Sequence, residues 1–191
     1  WPFDFFMGQE TLMNALADEV AQGRIQSVGV SNYSADQMKK AHALLAKRGV
    51  PLAVNQVQYS LLERTIEKNG VMNTAKDLDI AILAYSPLAQ GLLTGKYSLE
   101  VDTKPKGARS IDPRFSSNGL KKLAPVLDKL RAIAQAYDRT PAQVALNWLI
   151  AQGNIIPIPG AKNADQARQN AGALGWSLEQ KDIDTLNATA L

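Results

Sequence analysis

Four short stretches gather side chains with chemistry to offer. Ser31-Asn32 supplies a hydroxyl and an amide, and Gln56 a second amide. Such a set provides both donors and acceptors and suits a carboxamide. Tyr85 carries a ring able to stack on a flat heterocycle, and runs into Ser86-Pro87-Leu88-Ala89-Gln90-Gly91. Pro159-Gly160-Ala161-Lys162-Asn163 sets a cation at a predicted helix start, where free backbone N–H groups favour a phosphate. With no cysteine and one histidine, His42, the sequence offers neither a thiol nucleophile nor a zinc or non-haem iron cluster.

The elements that must position these residues alternate. Leu12, Leu16 and Val20, with Met13 beside them, predict an amphipathic helix over Gln9 to Gln22 that ends at Gly23. A strand follows at residues 25–30. Ser34-Ala35-Asp36-Gln37 has capping-box spacing and opens a helix that turns Met38, Ala41, Leu44 and Leu45 inward. That helix stops at Gly49-Val50-Pro51. A second strand is expected at 52–57, a helix at about Gly70 to Leu78, and a third strand at 80–84. This third strand is apolar throughout, as strands buried on both faces are. Lys96 to Ser117 reads as a polar loop, long enough to be functional or mobile. Helices are expected at Leu120 to Tyr137 and at Pro141 to Ala151, the second capped by Thr140. The fourth strand, 155–158, precedes a helix from Asn163 to Ala173. A last helix starts at the Ser177-Leu178-Glu179-Gln180 box and runs towards Ala188.

Strands separated by helices imply parallel βαβ units, which leaves an open doubly wound sheet or a piece of a (β/α)8 barrel. No Gly-x-Gly-x-x-Gly turn follows a strand, which argues against the dinucleotide version of the first. A barrel takes about 250 residues, so four units in 191 residues look like half of one. In either fold the chemistry lies beyond the C-terminal strand ends, where all four stretches fall. A carboxamide holder, a stacking ring and a phosphate site are together the parts that NADP needs.

Composition narrows the class. A hydrophobic content of 46% is enough for a sizeable core, and a net charge of +3 is too weak and interspersed for nucleic acid. No apolar run reaches the roughly 18 residues needed to span a bilayer, and no secretory signal is visible, so no membrane partner and a cytoplasmic location are expected. The chain opens on Trp1-Pro2, which reads as a loop following something already removed.

Four blocks in register resemble the aldo-keto reductases: Gly29-Val30-Ser31-Asn32-Tyr33; Asn55-Gln56-Val57-Gln58-Tyr59-Ser60; Ala84-Tyr85-Ser86-Pro87-Leu88 with Gly91-Leu92-Leu93-Thr94-Gly95-Lys96-Tyr97; and Ile158-Pro159-Gly160-Ala161-Lys162-Asn163. The resemblance covers essentially the whole chain. It is strongest to the branch of bacterial and plant reductases and potassium-channel β subunits, which carry the extra helix after the long loop. It implies a (β/α)8 TIM barrel of which residues 1–191 form one domain, the C-terminal four βα units, with the N-terminal half absent.

The resemblance also implies roles by position. Ser31, Asn32 and Gln56 match the residues that hold the nicotinamide carboxamide, and Tyr85 matches the ring stacked on it. Ser86, Leu88, Gln90 and Gly91 match the pyrophosphate segment. Gly160, Ala161 and Lys162 match the stretch around the adenosine 2′-phosphate, and Gln166, Gln169 and Asn170 the adenine side. The wider family often has a second cation where Gln166 stands, which leaves Lys162 as the main phosphate partner and favours NADP over NAD. The implied activity is NADPH-dependent reduction of a small carbonyl substrate. The family's catalytic Asp, Tyr, Lys and His all match positions before Trp1, so no catalytic residue is expected here. Alternatives are a nucleotide-binding or channel-associated module without turnover, or a half-barrel that pairs with itself or with a complementary N-terminal fragment.

Taken singly, these side chains also have ordinary structural readings. Ser31-Asn32 suits a turn before the Ser34 cap, Tyr85 a core aromatic with its hydroxyl satisfied, and Lys162 a solvated helix start. Lys104, Lys106, Arg109 and Arg114 form either a flap over the pyrophosphate or plain loop charges. Trp148 and Leu149 read as core, and Phe3, Phe5 and Phe6 as former pocket lining or an exposed end.

Overall fold

The structure is a computed structural model that describes residues 7–99, 105 and 107–189. The readings of Phe3, Phe5, Phe6, Lys104 and Lys106 fall outside those residues. The chain divides into two compact units.

The first unit comprises the described residues through Tyr59, Arg64–Tyr85 and Asn154–Ile156. Helix α1 (Gln9–Ala21) buries Met13 and Ala17, and the Gln9 side chain donates to the Gln37 carbonyl of α2 (Ala35–Ala46) at 2.7 Å. The capping box opens α2 as its sequence requires. Ser34 Oγ accepts from Gln37 N and Gln37 Oε1 accepts from Ser34 N, while Met38, Ala41, Leu44 and Leu45 face inward. Strands β1 (Val28–Ser31), β2 (Leu52–Gln58), β3 (Ala81–Tyr85) and β4 (Ile155–Pro157) form one sheet in the order β1-β2-β3-β4. The pairs β1–β2 and β2–β3 are parallel. Consecutive strands lying side by side is the barrel arrangement; a doubly wound sheet reverses its order at a switch point.

The expected strand at 25–30 begins only at Val28. Its partner there is Leu52, preceded by Pro51, which has no N–H to extend the ladder. Gly29 admits no side chain, because a Cβ at this position would lie 2.5 Å from Val54 Cγ2 across the pair. In β3 the burial alternates: Ile82 and Ala84 are buried, and Ala81, Leu83 and Tyr85 half-buried. The expectation of full burial on both faces is therefore corrected, since an apolar run does not say which face is covered.

The helix expected at 70–78 is α4 (Val71–Asp77); a short helix that was not expected, α3 (Thr65–Lys68), precedes it, and Gly70 at φ 85° lies between the two. A half-buried ion cluster holds the shorter one. Glu67 accepts from Tyr59 Oη at 2.7 Å and from Arg64 Nε and Nη2 at 2.7 and 2.8 Å. Burial by itself would raise the Glu67 carboxyl, but the Arg64 and Tyr59 hydrogen bonds outweigh it and hold the group below the usual carboxylate range. A depressed native pKa adds stability above the unfolded value, and that stability is lost as pH falls through the native one. Glu67→Gln is thus expected to cost about 1–2 kcal/mol at neutral pH. Its deficit relative to the parent should shrink between about pH 5 and pH 3. Urea midpoints measured across that range check this, and a constant deficit refutes it.

The second unit comprises Ser60–Glu63, Ser86–Gly153 and the described residues from Pro157 onward. Helix α5 (Ser117–Ala136) buries Leu123, Val126, Leu127, Leu130, Ile133 and Ala134 along one stripe and packs on α6 (Pro141–Ile150) and α8 (Gln180–Ala188). It starts three residues before the expected Leu120, because Ser116 caps it by accepting from Gly119 N. Thr140 and Gln143 form the box that opens α6, which buries Trp148 and Leu149 completely. The polar segment at 96–117 is not featureless: Gly107–Ile111 and Pro113–Phe115 are 3₁₀ turns, the second capped by Asp112. Asp112 also pairs with Arg114 at 2.6 Å.

The expected Ser177 box does not form. Glu179 stands at the α8 N-cap without a side-chain bond, and the N–H groups just ahead of the helix bond to partners distant in sequence. Leu178 N donates to Asn147 Oδ1 at 3.1 Å, and Glu179 N to Tyr137 Oη at 2.9 Å. The Tyr137 hydroxyl in turn donates to Asp182 Oδ2 at 2.7 Å.

Candidate functional site

In the first unit, the ends of β1, β2 and β3 bring together four of the residues singled out by sequence. Asn32 N and Ser31 Oγ both donate to the Gln56 carbonyl, at 2.8 and 3.1 Å. Tyr85 Oη donates to Asn32 Oδ1 at 3.2 Å. The Tyr85 ring is half-buried, so its hydroxyl is satisfied while part of its surface stays open. Asn32 has φ 56°, a left-handed backbone uncommon outside glycine. Asn55, fully buried in β2, braces the residue that follows Asn32 in the turn. Its Nδ2 donates to the Tyr33 carbonyl at 3.0 Å, and its Oδ1 accepts from Tyr33 N at 3.3 Å. Sequence reasoning passed over Asn55 as a site residue, although a polar side chain in an apolar strand was the available signal.

In the second unit, the other ten line one open groove of about 840 Å³, within the usual range for ligand sites. One wall is the segment after β3. Ser86, Ala89, Gln90 and Gly91 all have positive φ, of 52°, 47°, 58° and 99°. Three are not glycine, and such backbone costs energy and clusters at functional sites. A Cβ on Gly91 would lie 3.2 Å from Lys96 Cε. The opposite wall is the turn before α7 (Ala164–Ala171). Asn163 caps α7 by accepting from Gln166 N at 2.9 Å, and Gln166 Oε1 accepts from Lys162 N at 2.8 Å. Asn170 Nδ2 donates to the Gly160 carbonyl at 3.4 Å. Two of the amides singled out therefore hold the turn carrying Lys162, whose side chain is exposed.

The groove's electrostatics are one-sided. Among the described residues, Lys96, Arg109 and Lys162 line it, and no Asp or Glu does. Residues Thr140–Ala142 at the start of α6 line it too, adding the positive end of a second helix. Sequence reasoning treated Lys96 only as part of a motif, and left Arg109 between flap and plain loop charge. It is a lining residue, whereas Arg114 is paired to Asp112. Among the described residues, no cluster of His, Asp or Glu could hold a metal, and no helix is long and apolar enough to cross a membrane.

The aldo/keto reductase family profile matches residues 1–190. The chain is 42% identical over 167 residues to the chloroplastic pyridoxal reductase of Arabidopsis thaliana, covering 87% of this chain and 44% of that protein. It is 36% identical over 177 residues to aldo-keto reductase yakc [NADP(+)] of Schizosaccharomyces pombe, covering 91% and 51%. The glycerol dehydrogenase AKR11B4 of Gluconobacter oxydans superposes with a TM-score of 0.85 at 28% identity, over 98% of this chain and 55% of that one. The chain spans about half the length of the relatives it matches, and supplies about four βα units of a (β/α)8 barrel. Sequence, strand order and structural likeness agree that the chain belongs to the aldo/keto reductase family of oxidoreductases.

Proposed function

We propose that this chain holds NADP(H) for the reduction of a small aldehyde or ketone. Ser31, Asn32 and Gln56 take the nicotinamide carboxamide, and the Tyr85 ring stacks on it. Ser86, Leu88, Gln90 and Gly91 take the pyrophosphate, with Lys96 and Arg109 beside them. Gly160, Ala161 and Lys162 take the 2′-phosphate, and Gln166, Gln169 and Asn170 border the adenosine. The observation that carries this reading is the charge of the groove: among the described residues, three cations and two helix starts line it with no carboxylate, which fits a polyanionic cofactor. When bound, the cofactor supplies a hydride to the carbonyl carbon, and the protein contributes binding and orientation. No catalytic residue is assigned to this chain.

The preference for NADP over NAD rests on Lys162. Calorimetric titration of the 191-residue chain is expected to show NADP+ binding at least about tenfold tighter than NAD+, one charge contact being worth about that factor. The difference should narrow as salt is raised. Equal affinities, or no binding by a chain that circular dichroism shows to be folded, would overturn the proposal.

A further inference from the structure

The groove's cations are not held alike. Lys162 projects from a turn, exposed, whereas Lys96 and Arg109 both meet one side chain, Tyr97. The Lys96 ammonium lies 4.9 Å from the centre of the Tyr97 ring, within cation–π range. Arg109 Nη1 donates to Tyr97 Oη at 3.1 Å and reaches the Gln90 carbonyl at 3.5 Å. Tyr97 itself is 5% exposed. Its ring meets Phe115 edge-on, with centroids 5.0 Å apart and planes at 85°. Phe115 is buried at the end of the 3₁₀ turn that packs on α5. The ring is thus clamped, and its face and hydroxyl point in fixed directions.

Two like charges lining one groove repel each other and are mobile on long side chains, so their placement needs a cause. A clamped phenol supplies one. Its electron-rich face attracts the ammonium, and its hydroxyl oxygen accepts from the guanidinium. We infer that Tyr97 is a positioning residue for anion binding, which sets both Lys96 and Arg109 before the ligand arrives and lowers the entropy lost on binding. The inference rests on the proposed function, because the ligand whose phosphates meet these cations is taken to be NADP(H). Tyr97 touches the cations and acts through them.

Tyr97→Phe separates the two arms, since it keeps the ring for Lys96 and Phe115 and removes only the oxygen facing Arg109. The probes are NADP+ and, separately, inorganic pyrophosphate, titrated into the parent, Tyr97→Phe, Arg109→Ala and the double variant. Tyr97→Phe is expected to weaken both probes about threefold to tenfold, the size of one hydrogen bond, with an unchanged melting temperature. In the Arg109→Ala background the same change should have no further effect, because the oxygen then has no cation to place. A merely structural tyrosine would lower stability in both backgrounds and show no such dependence.

Parental affinity in Tyr97→Phe, or equal losses with and without Arg109, would overturn the inference and leave the proposed function standing. Pyrophosphate binding with Tyr97 dependence, but no NADP+ binding, would uphold the inference and remove the proposed cofactor. Binding of neither probe by the folded parent would overturn both. If Tyr97→Phe melts early, Arg109→Lys replaces it: the charge stays but the fork that reaches Tyr97 Oη and the Gln90 carbonyl is lost. A loss of about threefold or more is then expected, and parental affinity refutes the inference.

Discussion

An Asn55→Leu variant is expected to melt roughly 10 °C below the parent, a loss of about 3–5 kcal/mol for a chain of this size. Leucine keeps the branched outline of the asparagine side chain, so the main loss is of hydrogen bonds. The substitution removes the Asn55 bonds to both the N–H and the C=O of Tyr33. Losing the bond to a buried backbone group costs about 1–3 kcal/mol. It also frees the turn that keeps Asn32 in its left-handed conformation, so that Asn32 no longer meets Tyr85. In the proposed function this side holds the nicotinamide, which NADP+ and NAD+ share. Affinity for both should therefore fall together, by about tenfold or more. Asn147→Leu is the control. It removes three bonds in the second unit, from Asn147 to the carbonyls of Ala173 and Trp176 and from Leu178 N, and none of these touches the Asn32 turn. Parental stability in Asn55→Leu would show that the buried amide does not carry the turn.

Lys162→Glu is expected to weaken NADP+ binding about 100-fold while changing NAD+ binding less than about threefold. The substitution changes the local charge by two units beside a phosphate that only NADP+ carries, and each unit near a surface is worth about 1–2 kcal/mol at contact. The fold is not at risk, since the Lys162 side chain is exposed and the turn is held through its backbone N–H by Gln166. The loss should shrink at high salt, as an exposed interaction does. Parallel losses for both nucleotides would place Lys162 outside the 2′-phosphate contact. The two variants thus pull in different directions: one acts on what the nucleotides share, the other on what separates them.

Much of this was readable in the chain because the determinants are local. The Ser34–Gln37 and Thr140–Gln143 boxes act over three residues, and each forms. The alternation of strand and helix gave the class of fold, and residues 86–91 and 159–163 drew attention because polar groups and glycines followed strands, whereas Gln166, Gln169 and Asn170 entered only through the family resemblance. Where partners distant in sequence compete, the local reading failed. Ser177 has the right spacing for a cap, yet α8 begins after Glu179, and Asn147 and Tyr137 take the Leu178 and Glu179 N–H groups ahead of it. The strand at 25–30 has the right residues, yet Pro51, just ahead of the neighbouring strand, cuts it short.

By itself, then, the sequence determined the four strands, the helices between them and the polar residues that follow each strand, because hydrophobic period and capping chemistry are written in neighbouring residues. Only tertiary structure decided which amides are free and which serve as braces, as Gln166 and Asn55 do. It alone gathered Lys96 and Arg109 about Tyr97, far from Lys162 in the chain. Charge in a groove depends on which side chains are brought to it and on the carboxylates kept away, and no stretch of sequence contains both.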